Sequence, residues 1–382
     1  MAIVFWVAIG AILYSYILYP LLLFVLVRVK RKNSRQHGSG AIPTVSVVVS
    51  CFNEETALAA KLRDLKRYAY SPDKIEFLFG SDGSTDRTND ILQKAEAQGA
   101  IRCFTFEQRR GKASVLNDLV NRARNDIVVF TDANTVFEPE TISRLVTRFD
   151  DPTVGAVCGK LMLLNPGKEP GRQNEHSYWE FENWLKSLES DCHTLLGATG
   201  AVYAIRRNLY SLLPTNKPVT DDFIVPIRIV MLGYRVVYAQ EARAFEESTP
   251  SITKEFKRKS RIGAQNYSGI SDFRRLLAPS AGFVAFELWS HKIIRWFVPH
   301  LLLVALLATI ILAYDSSLYR WILASELVVI GTALLGLAAD YAGRRLGPLG
   351  LPYYTIAMNL ALFVGFWRFV FKKQPSTWEV AR

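Results

Sequence analysis

Four short stretches of this sequence hold polar residues at spacings that suit chemistry. "FTDANT" puts Asp132 and Asn134 one residue apart at the end of an apolar run. Two oxygen-bearing side chains so placed can hold a hard divalent cation, Mg2+ or Mn2+, which also bridges substrate phosphates. A cation there would stabilise charge building on a diphosphate leaving group. "VTDD" sets Asp221 beside Asp222 ahead of a second apolar run. Neighbouring carboxylates raise one another's pKa, and one of them can take a proton from a hydroxyl nucleophile. "KRKSR" at 257–261 supplies Arg258 and Arg261, cations suited to a departing diphosphate and equally to a membrane-facing basic edge. Asp82 in "GSDGSTD" precedes Gly83 and a helix start whose N–H groups are open to an anion. Each acid also has a plainer reading. Asp82 suits a helix cap, Asp132 and Asn134 a turn, and Thr220 or Asp221 a cap with Asp222 near the positive helix end.

The remaining chemistry-bearing residues exclude several classes. No GxGxxG follows a strand and no GxxxxGK[ST] occurs, so dinucleotide-redox and P-loop readings have no support. The four cysteines, Cys51, Cys103, Cys158 and Cys192, are far apart and form no CxxC pair, which argues for reduced structural thiols. The five histidines show no ligand spacing, so no zinc site is expected. The net charge of +11 gathers where the chain would meet a membrane, and no nucleic-acid module is visible. Anionic headgroups and a phosphorylated substrate account for it better than nucleic acid does.

Positioning those acids requires a sheet. "VSVVVSC", "IEFLFG", "IRCFTFE" and "DIVVFTD" read as buried strands, alternating with amphipathic helices at 54–69, 85–98 and 112–124. Continuous apolar strands alternating with helices indicate a parallel sheet covered on both faces. Such sheets take ligands beyond the carboxyl ends of their strands, where Asn53, Asp82 and Asp132 all fall. Further on, 174–190 reads as a helix with Tyr178, Trp179, Phe181 and Trp184 among acids. A glycine-led turn runs into a strand at 197–207, and 220–239 gives a polar turn, a helix and a strand.

Both ends of the chain are apolar. Residues 3–27 form an almost unbroken apolar run, about 25 residues, enough at roughly 1.5 Å per residue to cross a bilayer. Three more runs lie at about 291–314, 321–339 and 351–371, with 278–292 expected as a separate interfacial helix. The first run lacks an amino-terminal Lys or Arg and a small-x-small site, and "RVKRKNSR" follows it. It reads as an uncleaved anchor, with 33–43 as a linker. The basic residues after it place the central part in the cytoplasm. Arg344 and Arg345 before the last run and Lys372 and Lys373 after it conflict with three simple later spans, so one of those segments is expected to be interfacial or re-entrant.

"VSVVVSCFNEE", "GSDGSTDRT", "RRGKASVLN", "FTDANT", "GATGAVYAIRR" and "TDDFIVPIRIVMLGYR" resemble, in order and spacing, the membrane-embedded family-2 glycosyltransferases. These are inverting enzymes with a GT-A fold and include cellulose, chitin and hyaluronan synthases. The likeness covers about residues 43–262. "YWEFENWLKSLES" followed by "LLGATGAVYAIRR" further resembles bacterial exopolysaccharide synthases of that family. The resemblance implies that Asp82 binds the uracil of a UDP-sugar, with Asn53 and Glu54 nearby, and that Lys112 and Asn117 line the nucleotide-sugar site. It makes Asp132 the first residue of a DxD motif touching donor and metal, with Asn134 second. It gives Arg261 to the donor diphosphate and Gly197, Ala198, Thr199 and Gly200 to the acceptor side; Arg258 is expected beside Arg261 at the donor, and Asp221 and Trp179 on the acceptor side. Asp222 becomes the general base.

Two departures stand out. Asn134 is neutral where many relatives have a carboxylate, which weakens the metal site. Processive members carry Gln-x-x-Arg-Trp, but here "RKSRI" keeps Arg261 and puts Arg258 and Ile262 at the Gln and Trp positions. The aromatic floor under an acceptor sugar is then missing.

The sequence thus predicts an α/β, GT-A-like domain at 31–275. An anchor at 1–30 precedes it, and an interfacial helix with carboxyl-terminal spans follows at 276–382. The expected activity is transfer from a UDP-sugar to a polysaccharide or lipid-linked glycan, at the cytoplasmic face of the inner membrane, with Mg2+ or Mn2+. Export or polymerisation partners fit a synthase. The alternatives are single addition to a polyprenyl-(di)phosphate-linked acceptor, and a non-catalytic scaffold keeping a degenerate domain.

Overall fold

The computed structural model describes residues 1–30, 42–164, 170–248, 251–344 and 347–377. Most of the linker expected at 33–43 lies outside these residues. The chain opens on a helix, α1 (Ala2–Val29), and the sheet follows. In chain order come β1 (Val45–Cys51), α2 (Glu55–Leu65), β2 (Ile75–Asp82), α3 (Thr88–Ala97), β3 (Arg102–Phe106), α4 (Lys112–Arg122), β4 (Ile127–Asp132) and β5 (Val136–Phe137). Then come α5 (Thr141–Val146), β6 (Val154–Leu164), α6 (Pro170–Cys192), β7 (Tyr203–Arg206), α7 (Asp221–Met231), β8 (Arg235–Glu247) and α8 (Ile252–Phe273).

The strands form one sheet in the order β3-β2-β1-β4-β7-β6-β8-β5. β3, β2, β1 and β4 are parallel, as their strand–helix alternation requires. Successive residues of β1 enter opposite cores: Val48 packs with Leu116 and Phe130, and Val47 and Val49 pack with Leu58 and Phe79. Both faces are therefore dry, which is why these strands are apolar throughout.

Beyond the four strands on which the parallel reading rested, β7 runs antiparallel between β4 and β6. β5 is likewise antiparallel to β8. The reversal has a positional consequence. Phe130 pairs with Tyr203, so the turn before β7 lies at the carboxyl end of β4, beside Asp132.

Among the described residues four helices are long and apolar enough to cross a membrane: α1, α9 (Phe283–Leu312), α10 (Ser317–Tyr341) and the helix ending at Val370. The separate interfacial helix expected at 278–292 is not found. After Gly282 the chain runs into α9 without interruption, because no glycine or proline breaks it before Pro299.

The last helix, α11 (Gly350–Val370), runs alongside α8 in the same direction. Ile252 clusters with Tyr353 and Tyr354 at one end, and Tyr267 packs its ring against Phe366 and Phe369 at the other. Between them the backbones touch at small residues. A Cβ on Gly365 would lie 2.6 Å from the Ser260 carbonyl oxygen.

Candidate active site

The carboxyl edge of the sheet opens into a cleft of about 880 Å³. Asp132 and Asn134 enter it from the end of β4, Asp221 and Asp222 from the start of α7, and Arg258 and Arg261 from α8. Three segments spread over nearly 130 residues of sequence thus meet in one place.

Lys112, the first residue of α4, links the acids. Its Nζ lies 2.9 Å from Asp132 Oδ1 and 3.1 Å from Asp221 Oδ1. Burial works against its charge, but Asp132 and Asp221 hold its pKa above the usual lysine value. Asp221 also accepts a hydrogen bond from the Tyr203 hydroxyl at 3.0 Å, so it is fixed by a cation and a phenol. Asp222 differs. Among the described residues its Oδ2 accepts only the Gly200 N–H, at 3.0 Å, and its backbone carbonyl accepts the Ala198 N–H at 2.7 Å. Burial and the charge of Asp221 push its pKa up to about 6, against the opposing pull of Lys112.

Gly197 has φ +139 and Gly200 fits tightly, a Cβ there falling 3.3 Å from Asp222 Oδ2. The small residues of this turn let the backbone approach the carboxylate. Ala198, Thr199, Gly200 and Trp179 all line the cleft with it.

Glu246, at the end of β8, is a cleft residue the sequence reading passed over. Burial and the nearby Asp132 raise its pKa, and it accepts the Thr135 hydroxyl at 2.5 Å. Behind the site Lys61 is buried, donating to Thr131 Oγ1 and the Thr135 carbonyl. Burial lowers its pKa to about 8 despite Asp64 and Asp132. On the opposite wall Arg258 pairs with Glu255 at 2.7 Å. Arg261 is pulled below the usual arginine range by burial and by Arg258, so this wall favours an anion.

Other expected donor-side residues sit elsewhere. Glu54 lines the cleft. Asn53, at φ +52, accepts the Thr85 N–H on Oδ1 and joins the β1 and β2 loops. Asp82 is 3% exposed and spends both oxygens on the Arg110 and Gly111 N–H groups, at 2.7 and 2.8 Å. It thereby shapes the loop before α4. Asn117 is not among the residues that line the cleft. Its amide donates to the Leu213 carbonyl and accepts from Leu213 N–H and Tyr210 Oη, which anchors the 210–213 segment. At the Gln and Trp positions of the resembled motif, Arg258 and Ile262 do face the cleft.

The donor set at Asp132 suits a hard cation. Asp132, Asn134 and Glu246 offer oxygen only, and Asp132 raises the pKa of both Asp222 and Glu246, so the acids repel one another. Among the described residues no group of three or more metal-ligating side chains is preassembled. A cation would therefore draw remaining ligands from water and a diphosphate.

Residues 46–213 match the family model described as glycosyl transferase family 2. The poly-beta-1,6-N-acetyl-D-glucosamine synthase of Staphylococcus aureus is 24% identical over 205 residues, 51% of this chain and 47% of that protein. A Bacillus subtilis protein named probable glycosyltransferase YdaM is 26% identical over 214 residues, 54% of this chain and 51% of its own. The matches thus cover about half the length of these curated relatives. Among solved structures, the mannosyltransferase PcManGT from Pyrobaculum calidifontis, in complex with GDP-Man and Mn2+, superposes with a TM-score of 0.72. It is 24% identical, and the match covers 97% of this chain and 99% of that one. Residues 46–213, which match the glycosyl transferase family 2 model, lie on a GT-A-like α/β sheet flanked by helices long and apolar enough to cross a membrane.

Proposed function

We propose that this chain is an inverting, membrane-bound glycosyltransferase that moves a sugar from a UDP-sugar to a glycan or lipid-linked acceptor. The observation that carries the reading is the convergence of Asp132, Lys112, Asp221 and Asp222 in one cleft walled by Arg258 and Arg261. Asp222 is the general base. Unlike Asp132 and Asp221, which pair with Lys112, it has no cation within ion-pair distance among the described residues, and its pKa of about 6 suits a group that takes a proton near neutrality. Asp221, tied to Lys112 and Tyr203, holds the start of α7 in place.

An acceptor hydroxyl between Asp222 and the donor loses its proton to Asp222 as its oxygen attacks the anomeric carbon. The bond from that carbon to the diphosphate breaks, and the negative charge arrives on the side of Lys112, Arg258 and Arg261. Asp132 and Asn134 would hold Mg2+ or Mn2+, which when bound neutralises diphosphate charge. The basic segments next to α1 and α8 support a catalytic domain facing the cytoplasm at the inner membrane. The relative named poly-beta-1,6-N-acetyl-D-glucosamine synthase supports a role in polysaccharide synthesis, with export or polymerisation partners.

The purified full chain, supplied with a panel of nucleotide sugars, should release UDP from one of them. Asp222→Asn should lower that turnover by about a thousandfold while UDP still binds. Normal turnover by the variant would remove Asp222 as the base and reopen the scaffold alternative.

A further inference from the structure

Beyond the Thr199–Gly200 turn the cleft continues to an end lined by Trp179, Glu182, Lys186 and Lys292. Lys186 is 8% exposed and donates to Thr199 Oγ1 at 2.6 Å. Lys292 Nζ has the His291 ring nitrogen, 3.5 Å away, as its contact. Among the described residues neither ammonium has a carboxylate within ion-pair distance. The acids nearby are already engaged. Glu182 holds Arg295 at 2.6 Å and His291 at 3.2 Å, and Glu189 holds His291 at 2.6 Å and the Tyr19 hydroxyl at 2.7 Å.

The two lysines are also close enough to repel one another. Glu182 and Glu189 attract Lys292 from beyond ion-pair distance, but two ammonium groups held in a shielded pocket with no direct ion pair are still costly, and an incoming anion relieves that cost. The position says what the anion is attached to. Tyr19 belongs to α1, and His291 and Arg295 to α9, both long enough to cross a membrane, so this end of the cleft lies where the domain meets its spans. In the other direction Lys186 is bonded to Thr199, whose neighbour Gly200 holds Asp222.

We infer that Lys186 and Lys292 form the anion subsite of the acceptor, and that the acceptor is a sugar carried on a lipid phosphate or diphosphate. The inference rests on the transferase reading above. The lipid phosphate is held by the two lysines and takes no part in bond changes. The hydroxyl of the attached sugar loses its proton to Asp222 and bonds to the donor's anomeric carbon. The bond from that carbon to the donor phosphate breaks, and its electron pair leaves with the nucleoside diphosphate.

The test is equilibrium binding to the full chain in phosphatidylcholine nanodiscs, with UDP present to fill the donor end. The probes are farnesyl diphosphate, farnesol and inorganic diphosphate. Farnesyl diphosphate should bind on the order of tenfold or more tighter than either of the others. Lys186→Gln and Lys292→Gln should each weaken it on the order of tenfold, and the double variant should bind it no better than farnesol. Lys186→Arg and Lys292→Arg should retain binding; if the glutamine variants do not fold, these and the wild-type comparison decide.

Equal binding of farnesol, or full binding by the double glutamine variant, overturns the subsite. Inorganic diphosphate binding as tightly as farnesyl diphosphate overturns the lipid assignment. No turnover is involved, so failure here is separable from failure of the transferase reading.

Discussion

Asp222 faces two opposed requirements, and its pKa records the balance. A base must be ionised at working pH, yet burial and Asp221 favour its neutral form and raise it from 3.8 to about 6. Activity with saturating metal should therefore fall about tenfold per pH unit below that value, read as kcat/KM; a flat profile down to pH 4 would contradict the base assignment. The same shift sets a stability dependence. Because the folded pKa is raised, ionisation favours the unfolded chain, so the penalty is absent below the unfolded pKa and complete above about 6. Asp222→Asn can still accept the Gly200 N–H, and in chelator near pH 8 it should gain up to about 3 kcal/mol, read from unfolding curves. The gain should vanish below about pH 4. Asp132 and Asp222 were legible in sequence because a strand end and a helix start each leave local marks. The partners of Asn117 were not legible because Tyr210 and Leu213 lie more than 90 residues away. Glu246 was missed because an acid at a strand end looks like any solvated edge until Thr135 and Asp132 close over it.

At the scale of elements, α8 holds Arg258 and Arg261 against the cleft, and α11 braces α8 from behind. Gly365 makes that contact possible, since a Cβ there would meet Ser260 O at 2.6 Å and Ala264 N at 3.0 Å, both backbone atoms. Gly365→Val should cost about 1–3 kcal/mol through forced separation of the helices, seen as a lowered Tm. It should also reduce UDP release, though it touches no cleft residue. Gly331→Val on α10 has no atom within 4 Å of its Cβ and serves as the control; equal loss in both would contradict the brace. The first four strands were legible because each is followed by a helix that commits the next strand to run parallel. β6 follows only the short α5, so the alternation fails there. The direction of β7 is not written locally either. It is set by pairing and packing, with Tyr203 stacked on Phe130 at 4.4 Å, and that reversal is what carries the Gly200 turn to Asp222.

The arrangement of the whole molecule bears on the conflict between the basic residues and three simple later spans. α11 is apolar enough to cross a bilayer, but it lies along α8, whose first half carries Lys254, Lys257, Arg258, Lys259 and Arg261. If α11 crossed, it would draw this charged face into hydrocarbon at about 3 kcal/mol for each central charge. Lying flat costs nothing comparable, because Leu351, Leu360 and Trp367 on α11 and Phe371 just after it are exposed and can enter the headgroup boundary. The segment after it then returns to the domain, where Ser376 lies against Gly111 and lines the cleft. With α1, α9 and α10 as the crossings, Arg28, Lys257, Arg274, Arg344 and Lys372 all fall on the catalytic side, as the positive-inside tendency asks. In a background lacking the native cysteines, Lys373→Cys and Arg87→Cys should react with a membrane-impermeant maleimide only in inverted vesicles. Asp315→Cys, between α9 and α10, should react only in right-side-out ones. Labelling of Lys373→Cys alongside Asp315→Cys would mean that α11 crosses after all, and that the contact of Ser376 with Gly111 does not form in the membrane.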